Sequence, residues 1–212
     1  MFTKLLAYEI RSRYRADARS FGAFIAVIAI AAGIVAAGLP GISGSTAVLA
    51  YALCALTPAA CAIAALADYW KTLYGQRGYF TMSLPISGKV IFWAKNTRIA
   101  IECLLALALA VGGILAVASA AAWSDGISLA EYTAGPRSLV AGVPTSTVSL
   151  MIAAQVILAM SWIVQACAAM TIGAEGRFNH LGFGAPIIGF VLVYVVNQVL
   201  STVGTFFLPL SV

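Results

Sequence analysis

Charge is what this chain lacks most. Only 9% of its 212 residues are Asp, Glu, Lys or Arg, where a soluble domain carries roughly 25%. Histidine occurs once, at His180, without Cys or carboxylate partners beside it, which makes a poor metal site and reads as a solvated turn residue. Cysteine occurs four times, and Cys54, Cys61, Cys103 and Cys167 all lie in apolar segments. Cys54 and Cys61 share a helix face at seven-residue spacing, yet their surroundings read as packing, because a free thiol behaves as a small hydrophobe. No G-x-x-x-x-G-K-[ST] sequence is present. The nearest Gly-rich run, Gly41–Val48, has no Lys to reach a phosphate. No Ser/His/Asp or Cys/His constellation is visible either, so neither nucleotide hydrolysis nor nucleophilic catalysis is expected of this chain, which reads as no enzyme.

What the chain has in excess is apolar length, with 62% hydrophobic residues. About 20 such residues cross a bilayer core as a helix. Five segments qualify: Phe21–Leu39, Ser45–Ala67, Ile99–Ala121, Val148–Thr171 and Ala185–Leu208. The expected fold is therefore all-α, a polytopic membrane protein forming one domain over residues 1–212. Trp123–Thr147, which holds Asp125, Glu131, Arg137, Gly135–Pro136 and Pro144, reads as an external loop. With the N-terminus inside, eleven of the twelve Lys and Arg residues fall on the cytoplasmic side and only Arg137 falls outside, as the positive-inside rule demands. The net charge of +5 thus reports topology, and nucleic acid is not an expected partner.

The first twenty residues are too charged for a signal-peptide core. On a helix, Lys4, Arg11, Arg15 and Arg19 gather on one side, while Phe2, Leu5, Leu6, Ile10 and Tyr14 spread over the other. Glu9, Arg13 and Asp17 form an i, i+4 ladder within that second face, where opposite charges neutralise one another. This predicts an amphipathic elbow helix over 1–20, lying on the membrane lipid and feeding the first span; the competing reading is a positively charged topogenic flank with no mechanical role.

Residues Asp68–Arg98 form a charged and aromatic island carrying five of the twelve Lys and Arg residues, which places it as a cytoplasmic loop. Gly75 and Gly78 permit tight backbone geometry, and Pro85 restrains Leu84 towards extended conformation. Between them Tyr79, Phe80, Met82 and Leu84 offer an apolar surface beside Arg77, the make-up of a protein-binding hot spot. The competing reading is an aromatic belt at headgroup level. Within the spans, Glu102 sits at i+4 from Arg98 and reads as a structural pair or as a gating group. Gln155, Gln165, Asn197 and Gln198 read as interhelical hydrogen-bonding groups or as the lining of a pathway.

Three stretches in order, LLAYEIRSRYR, LYGQRGYFTMSLPISGKVIFWAKN and GRFNHLGFGAPIIGF, resemble bacterial type-two ABC exporter permeases. Tyr74, Gly75, Gly78, Tyr79, Leu84, Pro85, Ile86, Ser87 and Lys95 carry the most specific part of the likeness. The resemblance implies an exporter half with six spans, paired with a second permease subunit in the bacterial plasma membrane. It also implies a separate ABC ATPase subunit that binds ATP and Mg, leaving this chain without a cofactor. The loop over 68–98 becomes the coupling helix that docks on that ATPase. Relatives carry a re-entrant element before a sixth span, so the native protein is expected to continue past Val212. A vitamin-importer membrane subunit, which would lack so long a loop between the second and third spans, and a non-transporting assembly or sensor protein are the alternative readings.

Overall fold

The computed structural model describes residues 1–75, 78, 83, 85–174 and 184–207. Helices dominate, and no strand occurs among the described residues. Four helices are long and apolar enough to cross a membrane: α1 (Phe2–Ala36), α2 (Ser43–Leu73), α3 (Gly88–Ser124) and, after two short helices, α6 (Thr145–Gly173). The short helices are α4 (Leu129–Tyr132) and α5 (Ala134–Ser138). The last helix, α7 (Gly184–Phe207), contains the apolar stretch Ile187–Val203. This is the helical architecture of a membrane-embedded protein.

The segment expected as a separate elbow and the first span form one continuous helix of 35 residues. At 1.5 Å per residue α1 is about 52 Å long, against about 30 Å of hydrocarbon. Its charged first half therefore stands beyond the bilayer core without a break at Ser20. The 37 residues of α3 reach about 55 Å for the same reason, and its overhang carries Lys89, Lys95 and Arg98.

Local sequence sets the ends. Gly38, with φ +62°, follows α1 and donates its N–H to the Val35 carbonyl. Beyond α3, Gly126 has φ +69°; its N–H bonds Trp123 O while Ile127 N–H bonds Ala122 O. That is a Schellman cap, which needs a left-handed residue. Ser128 then caps α4 by accepting from the Glu131 N–H at 3.2 Å, a serine three residues before a glutamate. Pro136, expected in a loop, lies inside α5, because the first turn of a helix has no use for its missing N–H. Pro58 lies inside α2, where the lost backbone bond is tolerated as in other apolar helices.

The chain divides into two compact units, Met1–Ala65 with Ile86–Gln155, and Leu66–Pro85 with Val156–Val212. In the first, α1 runs along α3. Buried positions on α3 recur at Ile91, Lys95, Arg98, Glu102, Ala106, Ala110, Gly113 and Val117, one helix face whose near end is charged and whose far end is small. Ile28, Ala50, Cys54 and Val117 form the apolar core there. Cys54 lies level with Gly113, while Cys61 lies level with Glu102, so α2 runs antiparallel to α3. Cys54, Cys103 and Cys167 are buried, Cys61 is half-buried, and all four are free thiols.

Candidate functional site

The first polar cluster lies where the charged ends of α1 and α3 meet. The Glu9, Arg13 and Asp17 ladder faces inward, whereas Lys4, Arg11, Arg15 and Arg19 are exposed. Arg13 Nε stands 3.6 Å from Asp17 Oδ1, so the ladder does pair within its helix. It also reaches α3, where Lys95 Nζ lies 3.0 Å from Glu9 Oε1 with the two side chains 3% and 12% exposed. Arg98 Nη1 donates to Glu102 Oε1 at 2.8 Å, again buried. Three carboxylates (Glu9, Asp17, Glu102) meet three cations (Arg13, Lys95, Arg98), and the sum of charge is zero. Their apolar surroundings make such pairs costly to break.

A cavity of about 260 Å³ opens beside this cluster, lined by Arg13, Asp17, Ser20, Thr57, Cys61 and Glu102 on its polar side. Cys61 Sγ points at the Glu102 carbonyl, 3.8 Å away. Because the charges in and around the cavity already compensate one another, the arrangement works as a clamp between two helices.

The second cluster belongs to the other unit and contains no formal charge. Asn197 Nδ2 donates to Gln165 Oε1, joining α7 to α6. These two amides, with Gln198, Ser161, Trp162 and Tyr194, line a cavity of about 340 Å³. The Trp162 ring packs against Phe190 and Tyr194, with centroids 5.8 and 5.9 Å apart. The spacing 194, 197, 198 and 201 on α7 marks one helix face. On α6, 158, 161, 162 and 165 do the same. Gly189 of α7 faces Ala169 of α6, where an added Cβ would stand 3.4 Å from the Ala169 carbonyl, an ordinary van der Waals contact.

Of the intramembrane residues singled out by sequence, Gln165, Asn197 and Gln198 thus come together in this cavity. Glu102 belongs to the charged cluster, and Gln155 is exposed and lines neither cavity. Sequence reasoning missed Trp162 and Tyr194. Their helical spacing with Gln165 and Asn197 was the available signal.

In the loop, Arg77, Tyr79, Phe80, Met82 and Leu84 lie outside the described residues, as do Arg177 and His180. The Gly75 N–H bonds the Trp70 carbonyl at 3.2 Å, and the Gly78 N–H bonds the Gly75 carbonyl at 2.8 Å. A Cβ on Gly75 would stand 2.7 Å from Lys71 O, and one on Gly78 would collide with Leu73 O. Both positions therefore demand glycine through close approach. Pro85 is exposed. The end of α2 that enters this loop is anchored by Tyr69, 1% exposed, whose hydroxyl lies 2.8 Å from Thr171 Oγ1 on α6. Tyr74 packs on both Tyr69 and Trp70. No protein-family model, curated protein or solved structure matches this chain.

Proposed function

We propose that the chain is the membrane-spanning permease subunit of an ATP-driven ABC exporter. In this reading it sits in the bacterial plasma membrane with its N-terminus cytoplasmic, beside a second permease subunit and above separate ATPase subunits that hold ATP and Mg. The α1 overhang takes the place of the elbow, with Tyr8, Ile10 and Tyr14 exposed and its inner face clamped to α3.

One observation carries the reading. The end of α2 and the start of the loop, Leu66–Pro85, form a single compact unit with the helices that line the amide cavity, tied through Tyr69 and Thr171. A partner pressing on Gly75–Ser87 therefore pushes the helices that hold the intramembrane polar site. That is the mechanical link a permease without its own nucleotide motif requires.

The test is purification of the tagged chain from its host membrane, with the bound partners identified by mass spectrometry. An ABC ATPase is expected. The double variant Tyr79→Ala, Phe80→Ala should insert normally and lose that ATPase. Tyr69→Phe should keep it but couple hydrolysis less well. Absence of any ATPase with the wild-type chain sinks the proposal, and loss of insertion in the double variant favours the belt reading of the aromatics.

A further inference from the structure

From the α6–α7 cavity we infer that this protein binds an uncharged, hydroxyl-rich group, such as a sugar headgroup, midway through the membrane. The inference deepens the permease reading and rests on it only for calling that group the cargo.

Depth comes first. Ser161, Trp162 and Gln165 lie near the middle of α6, and Tyr194, Asn197 and Gln198 near the middle of α7. Exposed amides at that depth are unfavourable against lipid tails, so a face of this kind belongs where it meets water or a polar ligand. Chemistry comes next. Each primary amide offers two donors and two acceptor lone pairs, and the Asn197–Gln165 bond uses one position on each. Ample capacity of both kinds remains, mixed and closely spaced, which suits hydroxyls that donate and accept at once.

Beside the amides, about one helical turn along the same two faces, stands the Trp162 and Tyr194 aromatic pair, an apolar platform with polar tips that suits the C–H face of a pyranose ring. The volume of about 340 Å³ falls within the roughly 300–1,000 Å³ of small-molecule sites. Charge decides against the competitors. Among the described residues no acidic or basic one lines the cavity, which offers an anionic headgroup no counter-charge there. A quaternary ammonium would use the aromatic rings but leave the amides without a role.

The experiment uses the full chain in lipid discs of phosphatidylethanolamine and phosphatidylglycerol, with Trp70, Trp93 and Trp123 replaced by Phe so that emission reports Trp162 alone. Ligand-induced thermal stabilisation of the wild-type chain is the second measurement, should that variant fold poorly. Glucosyl-diacylglycerol in the disc and maltotriose in the water are the two sugar probes. A response to the first alone assigns a lipid-linked sugar, and a response to the second a free one. The expected result is a saturable change with a sugar probe, weakened about tenfold, the loss of one hydrogen bond, by Gln198→Leu and by Tyr194→Leu. Phosphatidylcholine and phosphatidic acid should give none. No saturable response to either sugar probe, an equal response to the charged lipids, or unchanged binding in both variants overturns the inference. The ATPase co-purification above is read separately. An ATPase on a chain that binds no sugar removes this inference and leaves the permease, while sugar binding without an ATPase does the reverse.

Discussion

A methyl group added at Gly113 would stand 2.7 Å from Cys54 Sγ, with Ile28 and Phe24 at 3.5 and 3.6 Å behind it. Cys54 is fully buried, so its sulfur has nowhere to go, and α1, α2 and α3 would have to separate. Gly113→Ala is expected to lower stability by about 1–3 kcal/mol, the usual cost of overpacking, visible as a reduced Tm in detergent. Adding Cys54→Ala removes the obstructing sulfur and should restore most of that loss. A neutral Gly113→Ala, or a double variant no better than the single, contradicts the close approach. The sequence reading that Cys54 is a packing residue is consistent with this site. Which small residue meets which helix was not readable, because Ala and Gly recur along every span.

At the scale of elements, the clamp between α1 and α3 is the feature with the largest expected cost. Lys95→Met strands the Glu9 carboxylate in a place where it is 12% exposed. Removing one partner of a buried pair costs about 3–5 kcal/mol. Lys95→Met combined with Glu9→Leu should recover much of this, since apolar replacement of both partners is often neutral. Chemical denaturation of the three variants in one detergent checks the order, and equal losses in the single and double variants would show that the pair is no clamp. The Arg98–Glu102 pair was legible as an i, i+4 spacing. Glu9–Lys95 was not, because helical periodicity gives a face and never its partner. The unbroken α1 was missed for a related reason: a change from charged to apolar residues at Ser20 marks a change of solvent, not of backbone. Likewise Gln165 and Asn197 were each visible as polar groups in apolar helices, but their meeting across 32 residues required the fold.

For the whole molecule, two lines bear on topology, one on the expected sidedness and one on how the helices run. The first is the distribution of Lys and Arg, eleven to one. The second is geometric: Glu9 meets Lys95 while Phe24 and Ile28 meet Gly113, so α1 and α3 run parallel with α2 returning between them in sequence. The N-terminus and the start of α3 therefore lie on one side, and the segment with exposed Arg137, expected outside, follows the opposite end of α3. Charge alone says which side is cytoplasmic. Single cysteines at Arg77, Arg137 and Arg177, in a chain with its four native cysteines replaced, turn this into a measurement. An impermeant thiol reagent on intact cells should label position 137 alone, and positions 77 and 177 only after permeabilisation. Labelling of 77 with protection of 137 would invert the molecule, move the loop away from any cytoplasmic ATPase, and end the permease reading while leaving the helix packing intact. Labelling of both would show that α3 does not carry the chain across the membrane between positions 77 and 137.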